Sequence, residues 1–370
     1  MNVKRGYLDF SNDICMRWNS TDGLENYLLE ADDILIQMDG ALIGKSYAKI
    51  AEEQLPALLV QRVTRARTRS KDACTDFMYQ TIQRDFLRYI GMNKTETAVP
   101  HLSLNDIYNF KIMVPCLEEQ QQIGAYFSNI DNLITLHQRK CEETKKLKKY
   151  MLQKMFPKNG QTVPEIRFAG FTDAWEQRKL GETCKLNGRI GFRGYTERDI
   201  VTKEAGGVLT FSPTNIVNNK LTMECKNTYI TREKYDESPE IKIANGDILF
   251  VKTGSTLGKS ALVTGLKEDA SINPQIVVMR VEKDSETFMS NVLITHGIMK
   301  QVAAVKIGGA VPTMTETELK NLTYFAPVQK EEQKKIGDYF TNLDHFITLH
   351  QHKCEQLQSM KKFMLQNMFV

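Results

Sequence analysis

The sequence predicts an α+β protein made of one unit written twice, each unit a β-rich globule followed by a long helix. Three observations predict it. Residues 118–156, "EEQQQIGAYFSNIDNLITLHQRKCEETKKLKKYMLQKMF", and residues 331–369, "EEQKKIGDYFTNLDHFITLHQHKCEQLQSMKKFMLQNMF", align without a gap and share about 24 of 39 positions. Both segments place apolar residues at steps of three or four, as in a helix that packs lengthwise on another helix. Ahead of each, short β-branched runs are broken by glycine and proline, which reads as strands and turns.

Length and composition bound the function. A chain of 370 residues exceeds most single cores and calls for two or more domains. Hydrophobic content of 41% and charged content of 25% are those of a soluble globular protein. No apolar run reaches the roughly 18 residues of a membrane span, and the N-terminus lacks the apolar core of a secretory signal. Seven cysteines stand singly, without a Cys-x-x-Cys pair, which argues against zinc and disulfide frameworks and for a reducing cytoplasm. The net charge of +4 decides little, so the distribution of charge carries the information.

The first globule is placed at residues 1–116. Its clearest element is "DDILIQMDGALIGKSYAKI", two apolar runs joined by a glycine turn, with Lys45 and Ser46 at the exit. The basic run "QRVTRARTRSK" follows, and strand alternation would set several of Arg62, Arg65, Arg67, Arg69 and Lys71 on one face. Such a patch suits a polyanion, a plain solvated surface being the alternative. The first helix occupies 117–156, with Ile123, Phe127, Ile130 and Ile134 on its seam.

The second globule is placed at 157–328. It carries the glycine-rich loop "NGRIGFRGYTER", with Arg189, Arg193 and Tyr195, and the polar stretch "FSPTNIVNNK", with Asn215. Its hairpin, "GDILFVKTGSTLGKSALV", resembles a nucleotide-binding phosphate loop through Gly-Lys-Ser. The pattern fails, because Thr253 stands where the first glycine belongs. The chain after Ser260 also reads as strand, turn, strand, where a phosphate loop would open a helix. The second helix occupies 329–370, with Ile336, Phe340, Leu343 and Ile347 on its seam.

At about 1.5 Å per residue each helix would run roughly 58 Å, and one alone would expose its stripe. Two matching stripes in one chain bury each other most simply as an antiparallel, coiled-coil-like pair about a pseudo-twofold axis. His137 and His350 fall on the seams, each with a cysteine four residues on. Two ligands of a possible four make a satisfied polar position the favoured reading over zinc. The lysines of residues 145–149, with Lys361 and Lys362, read as solvated helix faces.

Two divergent globules on near-identical helices resemble the specificity subunit of type I restriction–modification enzymes. The resemblance spans the whole chain. It rests on "VPEIRFAGFTDAWEQRKLGE", which looks like the opening of a target-recognition domain, on the 246–263 hairpin, and on "VPTMTETELKNLTYFAPVQKEEQKKIGDYF". It implies two target-recognition domains, each reading half of a bipartite, asymmetric sequence of double-stranded DNA. It implies helices that act as a ruler and dock two methyltransferase subunits, with endonuclease/translocase subunits attaching to the assembly. S-adenosylmethionine, ATP and Mg then belong to those partners, and no cofactor, metal or catalytic residue to this chain.

On that reading Lys45, Lys252 and Lys259 position phosphates. Ser46, Thr253, Ser255, Ser260, Asn215, Tyr195 and the arginines at 62, 65, 67, 189 and 193 are candidates for DNA contact. One departure stands out. Met1 falls opposite Asn215, so the first globule has no counterpart of residues 164–213, which predicts exposed core and unpaired strand edges. A late start, a degraded or recombining spare copy and a naturally short reader all fit. A silent scaffold that reads one half-site is the alternative function.

Overall fold

The computed structural model describes residues 2–10, 15–39, 43, 46–69, 71–93, 102–158, 160–189, 194–305 and 311–368. They belong to two compact units, one formed by Met1–Arg139 with His350–Val370, the other by Lys140–Leu349.

The first unit opens with a ladder between β1 (Asn2–Val3) and β2 (Leu8–Asp9). An antiparallel sheet follows, formed by β3 (Ile34–Gln37), β4 (Tyr47–Lys49) and β5 (Val63–Ala66) in the order β4-β3-β5. β3 begins Ile-Leu-Ile because both of its faces are covered. Ile34 and Ile36 enter a core with Tyr79, Ile82 and Phe86, and Leu35 enters another with Ala48 and Ile50. The first of these cores is completed by α1 (Thr75–Thr81), a π-helical turn at Ile82–Phe86, and α2 (Leu87–Asn93). Then α3 (Leu104–Tyr108), capped by Ser103, leads into α4 (Leu117–Lys154).

The second unit has β6 (Glu176–Lys179), α5 (Leu180–Thr183) and β7 (Cys184–Gly188), then β8 (Ile200–Val201) and β9 (Val208–Phe211). A ladder of β10 (Ile216–Val217) and β11 (Lys220–Leu221) precedes β12 (Thr228–Ile230) and α6 (Arg232–Asp236). Next come β13 (Ile248–Val251), β14 (Ser260–Leu262), β15 (Ala270–Ile272) and β16 (Ile276–Val281). The chain closes with α7 (Glu286–Val292), α8 (His296–Val305), α9 (Glu316–Lys320), β17 (Thr323–Ala326) and α10 (Lys330–Asn367). One sheet runs β14-β13-β16-β7 and another β15-β9-β12-β8, with β15 parallel to β9, while β6 pairs with β17. β13 is apolar throughout, with Ile248 and Phe250 facing the helical core and Leu249 and Val251 the core of the second sheet.

The two globules share this central scaffold down to single bonds. Asp33 receives Arg67 Nε at 2.6 Å, and Asp247 receives Arg280 Nε at 3.3 Å. The Leu102 N–H donates to Met38 O at 2.9 Å, and the Met314 N–H to Lys252 O at 2.8 Å. The Ser103–Asp106 capping box recurs as Thr315–Glu318. Among the described residues of the first unit, nothing corresponds to β6 or β7. β5 ends its sheet where β16 continues to β7.

Within the first unit, Lys361 Nζ meets Asp131 at 2.6 Å, Cys354 Sγ faces Ile134 O at 3.7 Å and His137 Nδ1 faces His350 Nδ1 at 2.9 Å. α10 is read backwards as α4 is read forwards, so the helices are antiparallel. Within the second unit the same contacts recur with the helices exchanged, as Lys148–Asp344 at 2.6 Å and Cys141 Sγ to Ile347 O at 3.9 Å. Ile123, Phe127, Ile130, Ile134, Ile336, Phe340, Leu343 and Ile347 are all buried. Burying each such side chain contributes about 1.5–3 kcal/mol.

The seam is wider than a helix–helix contact, since Phe77 of α1 joins Ile123 and Phe127, and Phe288 of α7 joins Ile336 and Phe340. Two of the lysines expected on solvated faces differ. Lys361 and Lys148 are only 12% and 14% exposed, because each ion pair closes over the seam.

Each globule is latched to its helix by a buried glutamine and a glycine. Gln120 accepts from the Cys74 N–H at 3.0 Å and donates to Asp72 O and Pro115 O. Gln333 accepts from the Ser285 N–H at 2.9 Å and donates to Asp284 and Pro327 O. One turn on, a Cβ on Gly124 would lie 2.9 Å from Phe77 N, and one on Gly337 would lie 2.1 Å from Thr287 Oγ1.

Candidate nucleic-acid interface

The β13–β14 hairpin commits four of its turn N–H groups to backbone carbonyls. The N–H groups of Leu257, Gly258 and Lys259 donate to Gly254 O, Val251 O and Thr256 O, and that of Gly254 to Pro312 O at 2.8 Å. With these four committed to carbonyls and a strand following the turn, the hairpin lacks the row of free N–H groups opening a helix that a phosphate loop needs, which argues against the nucleotide reading. Gly254 and Gly258 have φ of +102° and +94°, the left-handed region the turn requires. Leu257 is buried beneath the tip, and Ser255 and Lys259 project into solvent.

The flanks of the hairpin are less open. Lys252 Nζ lies 4.0 Å from Glu316, Thr253 bridges to Thr313, and Ser260 is buried on β14. In the first globule the corresponding Ser46 is buried, and Lys45 lies outside the described residues.

Other candidates serve the fold. Arg67 is held by Asp33 and Glu30, which raise its affinity for the proton further, and Arg65 donates to Leu28 O at 2.7 Å. Arg62 is exposed, 3.4 Å from Asp39. Arg189 is buried, donates to Ile272 O at 3.1 Å and lies over the Tyr195 ring at 5.3 Å, and burial pushes its pKa down. Asn215 is fully buried and donates to Thr222 O and Asn227. Arg193 and Phe192 lie outside the described residues.

One polar group went unread in the sequence. Gln275, exposed on the turn between β15 and β16, lies beside Gly254, where a Cβ would be 3.5 Å from its Nε2. The signal was the "NPQ" turn itself, a polar loop abutting the hairpin in space but not in sequence. Among the described residues no three His, Cys, Asp or Glu side chains come together as a metal site. No described helix is long and apolar enough to cross a membrane.

Residues 16–146 and 172–359 match the protein family described as the type I restriction modification DNA specificity domain. The chain belongs to that family.

The repeat therefore corresponds to two specificity domains, and this specificity subunit supplies DNA recognition to a type I restriction–modification system. The type I restriction enzyme MjaVIII specificity subunit of Methanocaldococcus jannaschii is 23% identical over 344 residues, covering 90% of this chain and 77% of that one. The EcoAI specificity subunit of Escherichia coli is 27% identical over 135 residues, 36% of this chain and 22% of its own length. The crystal structure of the type I restriction-modification S subunit from M. genitalium shares the fold, with a TM-score of 0.64 and 13% identity. The match covers 93% of this chain and 84% of that one.

Proposed function

We propose that this specificity subunit reads a bipartite, asymmetric DNA sequence, the second globule reading one half through the tip of its hairpin. Ser255, Lys259 and Gln275 are the side chains offered there to bases and phosphates. The paired helices measure the unread spacer and dock two methyltransferase subunits, to which endonuclease/translocase subunits attach. This chain makes and breaks no bond itself, and S-adenosylmethionine, ATP and Mg act in the partners in the cytoplasm. The observation that carries the reading is one strand scaffold used twice with different exposed side chains, on helices whose buried seams repeat position for position. A site in two halves needs two readers held at fixed distance and helical phase.

A second reading is favoured by β5, which ends its sheet among the described residues of the first globule. There the subunit reads one half-site and serves otherwise as a scaffold. Co-expression with its methyltransferase, followed by mapping of modified bases, separates the two. A two-part motif with a fixed gap supports the first reading and a one-part motif the second. Modification without sequence preference would overturn both.

A further inference from the structure

Resting on the bipartite reading above, we propose that Lys220 is a positioning residue. Its clamp on α10 fixes the orientation in which the second globule presents its hairpin tip, and with it the gap between half-sites that the subunit accepts.

The clamp is built from the core outward. Asn215, fully buried, donates to Thr222 O at 3.1 Å, and the Thr222 N–H returns to Asn215 O at 2.9 Å, which closes the base of the β10–β11 arm. Ile216 is buried in the core of the second sheet, and Leu221 opposite it packs on the same core. Asn218 and Asn219 form a two-residue turn with φ of +51° and +61°, a conformation that asparagine adopts more readily than most side chains. Lys220 leaves this turn opposite exposed Val217. Its Nζ donates to Asp344 O at 3.0 Å and to Thr348 Oγ1 at 2.6 Å, both on α10. The Asp344 carboxylate is taken by Lys148 of α4, 2.6 Å away. The arm therefore ends where the two helices are tied together.

This is a second hold on the helix, separate from the latch. At a rise of 1.5 Å per residue, Asp344 stands about 16 Å beyond Gln333 along α10. A body held at one point on a rod can rock about it, and one held at two cannot. The repeat meets the same demand with other residues. Asp131, the counterpart of Asp344, stands equally far beyond Gln120 and pairs with Lys361. There Gln80 of α1 donates to Asp131 at 3.1 Å, and Lys361 donates to Gln83 Oε1 at 2.8 Å. β1 and β2 stand at the places of β10 and β11. Burial pushes the Lys361 pKa down, and the charge of Arg5, between β1 and β2, lowers it further. Two unlike globules that converge on equivalent ion pairs point to a shared mechanical demand rather than to the packing of either core. On DNA the demand is concrete. One base pair more or less moves a half-site by about 3.4 Å and about a tenth of a turn, so a globule free to rock would accept wrong gaps.

The test is methylation by the assembled complex on duplexes carrying the two half-sites mapped for the wild type, at their own gap and at gaps one base pair shorter and longer. The readout is the rate at the native gap divided by the rate at an altered one. Lys220→Met keeps the apolar stem and removes the charge, and should lower this ratio at least about fivefold. Thr348→Val, at an exposed position of α10, should lower it in the same direction. The double variant should fall no further than Lys220→Met alone. An unchanged ratio in both single variants, or losses that multiply in the double variant, would overturn the proposal. So would an equal loss of rate at every gap, which would make Lys220 a phosphate contact. A wild-type complex indifferent to the gap would overturn the bipartite reading, and the proposal with it.

Discussion

Nδ1 of His137 lies 2.9 Å from Nδ1 of His350, joining α4 to α10 at two positions that the internal repeat makes equivalent. Two like nitrogens at this distance hydrogen-bond only when one ring donates and the other accepts. Each histidine thus serves as the other's polar partner on an otherwise apolar seam. Replacing either by alanine should cost about 1 kcal/mol. The double variant should cost less than the sum of the singles, by a coupling of about 0.5–1 kcal/mol. Urea unfolding of the four proteins measures it, and additive losses would remove the pair from the account.

Gly337 is the position where α10 has no room for a side chain, with Thr287 Oγ1 2.1 Å from the site of a Cβ and Phe288 N 3.0 Å away. Gly337→Ala must push α7 off α10, and should cost about 1–3 kcal/mol despite alanine's better helix propensity. The same change at Gly297, where nothing lies within 4 Å, should be neutral or stabilising. Thermal unfolding of both variants checks the contrast.

Burial pushes the Cys184 thiol up to about 11 from its ordinary 9.0. The folded chain therefore holds a proton between these values that the unfolded chain has lost. Its contribution is complete below pH 9 and is lost as pH rises through about 11. Stability should fall over that window, and fall less in Cys184→Ala measured against its own value at pH 8. At pH 8 iodoacetamide should label exposed Cys116 at least about a hundred times faster than Cys184, read by mass spectrometry.

If the tip of the hairpin meets DNA, Lys259 is a phosphate contact. Lys259→Ala should weaken binding to cognate and scrambled duplexes alike and lower the salt slope by about 1. Gln275→Ala should lower cognate affinity by about 1–3 kcal/mol and leave scrambled duplex unaffected. Titrations of the assembled complex at several salt concentrations distinguish the two effects.

The helix pair and the hairpins were legible because their signals are local, one a sustained three-and-four spacing, the other glycines between apolar runs. The latch was visible only as identity. Gln120 and Gln333, with Gly124 and Gly337, are shared between the repeats, and a glycine inside a helix asks for a packing reason. What they touch, Cys74 and Ser285 with the helices that follow, is remote in sequence, so no spacing could reveal it. Arg189 and Asn215 read as DNA contacts, yet both side chains are buried and donate to Ile272 O and Thr222 O. Lys361 looked solvated because its partner Asp131 lies on the other helix.

Antiparallel pairing of α4 and α10 is most directly tested by zero-length carbodiimide cross-linking of the native chain, which joins only lysines and carboxylates in direct contact. Mass spectrometry should find Lys361 joined to Asp131 and Lys148 joined to Asp344, both 2.6 Å apart. If instead Asp131 and Lys361 never joined, and the link from Lys148 to the other helix ran to Glu355, the helices would lie parallel and the account would fail.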